Sequence, residues 1–215
     1  DAPPAFIPQV PSSLPSVCIV DMELQLGSLH GLKDFQACLQ KGLPFSPRIE
    51  SIPISLKGLR FPPNDLKQGL AQQNLLLSLV QKLSQRIEIP QNTGIWIGMG
   101  TDTQVTRYGI RWRYSQPVIP KLDAQAVLGC MPNVVANRLN SQLDCTGPSG
   151  TISAEECSGM IAVQVAVEAL QKGHVDCAVV GAVDFSTEPT QKEALHRIGK
   201  SSGADGGILW VLKRE

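Results

Sequence analysis

Four short, continuous runs of apolar residues constrain the fold of this chain more than any other feature. They occupy residues 17–20, 95–99, 177–183 and 207–212. A short run that is apolar throughout is typical of a strand buried on both faces. Between the runs, leucines recur at helical spacing, most clearly over residues 64–86. Apolar strands that alternate with helices predict an α/β fold around a mixed, mostly parallel sheet.

A further helix is expected over residues 156–172. Its polar side chains Gln164, Glu168 and Gln171 fall on one narrow stripe, and the rest of its surface is apolar or small. A helix that is apolar over most of its circumference is usually covered on more than one side. This helix is therefore expected to lie between two layers rather than on the outside of one sheet.

The composition excludes several classes of protein. With 215 residues, 42% of them hydrophobic, the chain is long enough to fold around a sizeable core. Its formal net charge of zero argues against a nucleic-acid partner, since phosphate binding requires a basic surplus. No apolar run approaches the roughly 20 residues that cross a bilayer, so no membrane contact is expected. Five prolines within residues 1–16 predict an extended linker, which leaves residues 17–215 for the folded domain.

The cysteines indicate a reducing compartment. None of the six belongs to a C-x-x-C pair, and a chain with a core of this size does not need disulfides to fold. We therefore expect free thiols and a cytoplasmic protein. The six residues are Cys18, Cys38, Cys130, Cys145, Cys157 and Cys177.

Motifs for cofactors and metals are weak. Gly98 and Gly100 follow a predicted strand, but the third glycine of a dinucleotide fingerprint is replaced by Thr103, so no nucleotide cofactor is expected. The three histidines are widely separated, and no metal site is expected. They are His30, His174 and His196.

Residues 147–160 predict a sharp turn from a strand into a helix. Such an elbow presents one side chain to a cleft and aims backbone N–H groups at it. Ser153 and Glu156 match the S-x-x-E pattern of a capping box, and acids at Glu155 and Glu156 suit the positive end of a helix dipole. Glu156 is thus either a structural cap or a catalytic carboxylate, and the residues alone leave both interpretations open.

The same segment resembles the active-site region of β-ketoacyl synthases, the condensing domains of fatty acid and polyketide synthases. That family reads Gly-Pro-Ser, then a Val-Asp-Thr-Ala strand, then the nucleophilic cysteine and a run of serines. Gly147, Pro148 and Ser149 match its beginning, Glu156 stands at the nucleophile, and Cys157 follows one residue later. The resemblance is collinear over roughly residues 17–215.

The resemblance implies one thiolase-like half, with a mixed, mostly parallel five-stranded sheet and helices on both faces. It ends where the family's first half ends, which implies that the two catalytic histidines of the second half are missing. A carboxylate is also a poor acceptor for an acyl thioester. One step along a helix turns a side chain by about 100°, so Cys157 is expected to face away from the cleft. We therefore expect no catalytic residue.

The implied function is that of a catalytically inactive ketosynthase-like domain, structural or docking, in a multidomain fatty acid or polyketide synthase. The use of inactive pseudo-domains in polyunsaturated fatty acid synthases resembles this role. The alternative is a domain that binds an acyl group or decarboxylates a malonyl unit with Glu156 or Cys157.

The implied partners are neighbouring synthase domains, an acyl carrier protein, or a second copy of the chain. The family pairs two copies through the strand before the elbow, which predicts an interface at Thr151, Ile152, Ser153 and Ala154. A third interpretation is a carrier-protein docking surface on the basic residues of a long loop, which are Arg107, Arg111 and Arg113.

Overall fold

The architecture is a single six-stranded sheet with helices on both faces. The computed structural model describes residues 14–100, 124–187, 189–201 and 203–215. The strand order across the sheet is β2-β1-β6-β5-β3-β4. The strands are β1 (Val17–Leu26), β2 (Leu29–His30), β3 (Thr93–Met99), β4 (Ser149–Ile152), β5 (Cys177–Asp184) and β6 (Gly206–Arg214).

The sheet is mixed. Strands β3, β4 and β5 are mutually parallel, and β6 runs antiparallel between β5 and β1. The predicted α/β class with a mixed sheet is confirmed. Four of the six described strands point the same way, but three of the five neighbouring pairs are antiparallel. Runs of buried residues show that a strand is covered on both faces and do not fix its direction. The sixth strand, β2, has two residues and is too short for a periodicity signal.

Seven α-helices are described along the chain. They are α1 (Gly31–Lys41), α2 (Pro63–Gln68), α3 (Ala71–Ser84), α4 (Ala124–Cys130), α5 (Val135–Leu143), α6 (Ser158–Gln171) and α7 (Pro189–Arg197). Short 3₁₀ turns at Pro132–Val134 and Glu155–Cys157 precede α5 and α6.

The long helix predicted over residues 64–86 is interrupted. Gly69 and Leu70 adopt extended backbone, with ψ of 149° and 145°, and divide it into α2 and α3. At the break the N–H of Leu70 donates to the carbonyl of Gly129 in α4 at 2.9 Å. The leucine stripe continues through the break, so hydrophobic periodicity alone does not reveal a hydrogen bond to a residue 59 positions later.

Two hydrophobic clusters occupy the two faces of the sheet. On one face α3 and α5 bury large side chains, such as Leu75 and Leu139, against Ile95 and Ile97 of β3. On the other face α6 packs on Trp96 and on β5 through small residues, including Ala162 and Ala166. The alternation of Ile95, Trp96 and Ile97 between the clusters follows from the two-residue period of a strand. Helices therefore cover both faces, as the family resemblance implies.

Within the described chain only one layer covers α6, so the expected second layer stays a prediction. Ala162, Ala166 and Leu170 face the sheet and are buried, whereas Met160, on the outer side of the helix, is 76% exposed. Ile161 is also exposed. The sheet covers only one side of the helix, and no other described element covers the opposite side. The apolar composition of α6 is therefore only partly explained by the packing of this domain.

Two expectations fall largely outside the described residues. The proposed linker at residues 1–16 is described only from residue 14, so the division into linker and domain stays a prediction. The basic loop residues Arg107, Arg111 and Arg113 also lie outside the described part of the chain. Among the described helices, none combines the length and apolar character needed to cross a bilayer.

The close contact between β3 and the start of α6 gives a direct test of this fold. A Cβ atom added at Gly98 would lie 2.4 Å from the backbone nitrogen of Gly159 and 2.5 Å from the carbonyl carbon of Ser158. These backbone atoms cannot move aside without a large energetic cost. Gly98→Ala should therefore lower the free energy of unfolding by about 3 kcal/mol, measured by urea denaturation. Gly100→Ala is the control, since no described atom lies within 4 Å of its added Cβ. Equal effects of the two variants would contradict the packing described.

Candidate functional site

A cleft lies where the parallel strands end. Its volume is about 820 Å³. It is bounded by the ends of β1, β3 and β5, by the beginning of β6, and by the turn that leads into α6. Ligands of α/β proteins characteristically bind at this carboxyl edge of a parallel sheet. We call this cavity the elbow cleft.

The inside of the elbow cleft is mainly apolar, and charged groups lie at the turn, at the end of β5 and in the segment after α7. Apolar side chains come from six separate elements, and glycines at the strand ends leave room between them. The large apolar lining residues are Leu24, Leu26, Phe35, Met99, Val183, Leu195 and Ile208. The charged lining residues are Glu155, Glu156, Asp184 and Lys200. Such a cavity suits a ligand with an apolar body and a polar end.

The turn before α6 is held by the hydroxyl of Ser158. This hydroxyl accepts the N–H of Ala154 at 2.9 Å and donates to the carbonyl of Glu155 at 2.6 Å. Glu155 has φ of +51°, in the left-handed region that non-glycine residues rarely adopt. A third hydrogen bond, from the N–H of Cys157 to the carbonyl of Ala154, closes the 3₁₀ turn. The sharp elbow predicted from the sequence is present at this position.

The predicted capping box does not form. No side-chain hydrogen bond caps either the 3₁₀ turn or α6, and the N-cap residue of α6 is Cys157. The 3₁₀ turn separates Ser153 from the first turn of the α-helix, so its side chain does not lie where a cap would. Ser158, which the sequence pattern did not single out, bonds the turn in its place.

Glu156 lies at the mouth of the elbow cleft as a carboxylate. Its Oε1 atom forms an ion pair with the Nζ atom of Lys200 at 3.5 Å, and both side chains are largely exposed. The pKa of Glu156 is lowered, first by a hydrogen bond from its own backbone N–H and then by the charge of Lys200. An ionised carboxylate cannot donate a proton as a general acid at neutral pH, and it is a poor nucleophile toward a thioester.

Neither Cys157 nor a histidine is among the described residues that line the cleft. Cys157 is exposed and is not among the residues that border the elbow cleft. No histidine is among the described residues of the lining either. Within the described ranges, no group of three or more histidine, cysteine, aspartate or glutamate side chains could hold a metal ion.

Residues 151–154, the predicted interface, lie at the edge of the sheet. Strand β4 pairs with β3 and ends the described strand order, so its outer edge has no strand partner in the part of the chain that the structure describes. Thr151 is half-buried, and its hydroxyl lies 3.4 Å from both the N–H of Ala136 and the carbonyl of Asn133. Ser153 and Ala154 follow the strand and enter the elbow. This edge can accept another strand.

Sequence reasoning missed Lys200, which is 44 residues away from Glu156 along the chain. No motif connects the two residues, and Lys200 lies beyond the end of α7. Asp205 was also missed. It is 2% exposed, and its carboxylate accepts the N–H groups of Ile49 and Thr187. A lone aspartate between two glycine-rich stretches carries no signal for such a role.

Comparisons with known proteins identify relatives of most of the chain. The sequence profile described as "Beta-ketoacyl synthase, N-terminal domain" matches residues 58–208. A polyunsaturated fatty acid synthase chain of Thraustochytrium sp. is 28% identical over 171 residues, which is 71% of this chain and 8% of that protein. Highly reducing polyketide synthase ntnH of Nectria sp. is 32% identical over 134 residues, 62% of this chain and 6% of that protein. The chain thus spans less than a tenth of these curated relatives.

Solved structures share the fold at low sequence identity. An oxazolomycin ketosynthase domain of Streptomyces albus JA3453, OzmH KS7, superposes with a TM-score of 0.73 at 17% identity, covering 94% of this chain and 42% of that one. The ishigamide ketosynthase/chain length factor gives 0.70 at 15% identity, covering 92% of this chain and 62% of that one. At these identities the likeness shows the fold alone.

The ion pair at the mouth of the cleft predicts a measurable change in titration. Because Lys200 lowers the pKa of Glu156, the Lys200→Gln variant should titrate Glu156 closer to the ordinary value for glutamate in carboxyl ¹³C NMR. A depressed pKa stabilises the fold above the ordinary value and loses this contribution as the pH falls, so the variant should lose less stability on acidification. Lys192→Gln, which removes an exposed lysine of α7, is the control. An unchanged Glu156 titration in Lys200→Gln would disprove the ion pair.

Proposed function

Because the chain belongs to the β-ketoacyl synthase family, through the N-terminal domain of that family, we propose that it is a ketosynthase-like domain of a multidomain fatty acid or polyketide synthase. We propose further that it has no condensing activity of its own and acts as a structural or docking domain. The membership rests on the match over residues 58–208. The synthase context rests on the relatives, which are a polyunsaturated fatty acid synthase and polyketide synthases.

The observation that supports inactivity is the charge at the elbow. A Claisen condensation needs a thiolate that attacks an acyl thioester and is released again. The residue that borders the elbow cleft at this position is Glu156, ionised and paired with Lys200. The neighbouring Cys157 is exposed outside the described lining. The elbow keeps its shape but presents a group that is unsuited to acyl transfer.

Intact-protein mass spectrometry after incubation with hexanoyl-CoA and malonyl-CoA tests this proposal. The unmodified chain should acquire no acyl adduct and should release no CO₂ from malonyl-CoA. A stable adduct on Cys157, abolished in Cys157→Ser, would show a working nucleophile and overturn the inactive assignment.

A variant that restores a thiol at position 156 tests whether this residue occupies the nucleophile position. Glu156→Cys in a Cys157→Ser background places the only elbow thiol where the side chain borders the cleft. The N–H groups at the start of α6 should lower the pKa of that thiol and speed its alkylation by iodoacetamide. We expect it to react faster than Cys157 does in the unmodified chain. Slower reaction would indicate that residue 156 does not occupy the nucleophile position.

A second candidate function, binding of an acyl group without chemistry, is favoured by the size and apolar lining of the elbow cleft. The charge at Glu156 disfavours a malonyl carboxylate at the same place, because like charges repel at short distance. Isothermal titration with octanoyl pantetheine should show saturable binding if the cleft holds acyl chains. Leu26→Gln makes the inner wall of the cleft polar and should weaken that binding. If the variant and the unmodified chain bind with equal affinity, the cleft is not the binding site.

The docking role is supported by the outer face of α6. Met160, Ile161 and Val165 are exposed there, next to the buried positions that contact the sheet. Large apolar side chains grouped on one exposed helix face are typical of a surface that another domain covers. We propose that a neighbouring synthase domain packs against this face. An acyl carrier protein that docks on Arg107, Arg111 and Arg113 stays a prediction, to be tested by a binding titration that weakens with salt.

Pairing of two copies through the outer edge of β4 is the homodimer that we propose. The N–H of Ile95 donates to the carbonyl of Pro148 at 2.8 Å, and alternate residues of β4 continue this pattern, so the N–H of Thr151 points to the outer edge. Thr151→Pro removes that donor and should shift the chain toward monomer in sedimentation velocity. Thr151→Val keeps the N–H and should remain dimeric. A monomeric unmodified chain at high micromolar concentration would rule out the dimer.

A further inference from the structure

We propose that α7 and the residues after it form a mobile lid over the elbow cleft, held shut by the ion pair between Lys200 and Glu156. The lid segment is defined as residues 189–201. The proposal concerns access to the elbow cleft of the second candidate function. Only the identity of the bound ligand, an acyl group, rests on that function. The lid itself is argued from contacts within the chain.

Four residues of the lid segment border the elbow cleft. Gln191, Leu195, Lys200 and Ser201 border the elbow cleft, and Leu195 presents an apolar side chain to it. No described residue of α7 is buried, in contrast to α6, which buries Ala162 and Ala166 on the sheet. A helix that buries no side chain has little packing energy to hold it in place, so it opens at low cost.

The base of the lid segment is fixed. Asp205 and Thr187 are both buried, and the Asp205 carboxylate accepts the N–H of Thr187 at 2.8 Å and its hydroxyl at 2.6 Å. The same carboxylate accepts the N–H of Ile49 at 3.0 Å, and the N–H of Asp205 donates to the carbonyl of Pro47 at 2.8 Å. The chain therefore leaves the core and returns to it at one anchored point. Opening can move the lid segment without disturbing β5 or β6.

The end of α7 aims Lys200 at the elbow. Gly199 has φ of +71°, its N–H donates to the carbonyl of His196 at 3.0 Å, and the N–H of Lys200 donates to the carbonyl of Leu195 at 2.9 Å. These two bonds form a Schellman motif, which ends the helix and fixes the direction of the next residue. From there the Nζ atom of Lys200 reaches Glu156 at 3.5 Å, across the cleft mouth.

The ion pair between Lys200 and Glu156, which we call the latch, is weak enough to break and re-form. The side chains of Lys200 and Glu156 are 62% and 79% exposed, and ion pairs that are exposed to this extent are weak and screened by salt. Within α7, Glu193 and Arg197 form an ion pair at 2.9 Å with the i, i+4 spacing that stabilises a helix. The latch can therefore break while the helix stays formed, so that the lid moves as a unit.

Hydrogen exchange followed by mass spectrometry tests the lid on the unliganded full chain. Amides of residues 189–201 should exchange much faster than those of residues 160–171 in α6. Lys200→Gln should raise exchange in the lid segment by about two- to fivefold, as expected for the loss of one exposed ion pair. Added salt should have the same effect on the unmodified chain and little effect on the variant.

Matched variants separate the latch from a general loss of charge. Lys192→Gln removes a lysine of α7 that has no ion-pair partner among the described residues, and it should leave exchange unchanged. The double variant Glu156→Lys with Lys200→Glu reverses the pair and should restore slow exchange. Gly199→Ala, which strains the left-handed turn, should mimic Lys200→Gln because it redirects residue 200.

The outcomes distinguish the lid from acyl binding. Equal exchange in Lys200→Gln and Lys192→Gln, or exchange in the lid segment as slow as in α6, would overturn the lid whatever the cleft binds. If the lid exists and octanoyl pantetheine binds, stopped-flow mixing should show faster entry in Lys200→Gln than in Lys192→Gln. If the exchange results agree with the prediction but octanoyl pantetheine does not bind, the lid is supported and the acyl ligand is refuted.

Discussion

The close contact between β3 and the first turn of α6 determines where the elbow lies. Gly98 and Gly159 meet with no room for a side chain on Gly98, and a Cβ atom added at Gly159 would lie 3.0 Å from that of Ala182 on β5. Small residues at these positions let the beginning of the helix sit directly on two parallel strands. The turn that leads into the helix is thereby brought to the carboxyl edge of the sheet. The cleft, the acidic residues and the lid all depend on this placement.

The elbow combines a preserved shape with an altered charge. The Ser158 hydroxyl forms hydrogen bonds with both Ala154 and Glu155, and Glu155 adopts a left-handed backbone conformation. Several local interactions therefore hold the bend. The side chain offered to the cleft is nevertheless a carboxylate whose pKa is lowered by a backbone N–H and by Lys200. A site can therefore keep its geometry while losing its chemistry, because the backbone bonds that hold the turn do not depend on which side chain it presents.

Packing strength differs sharply across the molecule. The central strands and α3 bury nearly all their apolar side chains, and Asp205 anchors the base of the lid with fully buried hydrogen bonds. By contrast, α7 buries no described side chain and is held at the cleft by an exposed ion pair, and the outer face of α6 exposes Met160. The regions with weak packing are the lid over the cleft and the face proposed for a partner. The elbow itself rests on the well-packed part.

The amino-acid sequence by itself determined the α/β class, the positions of the main strands and the elbow before α6, since these follow from local runs, periodicity and a short motif. Only the tertiary structure decided that β6 runs antiparallel between β1 and β5, that Gly69 and Leu70 break a continuous leucine stripe, and that the outer side of α6 is uncovered. It also replaced the expected cap at Ser153 with Ser158 and brought Lys200 to Glu156. Each of these features depends on contacts between residues distant in the chain or on which surfaces find a partner, and local patterning contains neither kind of information.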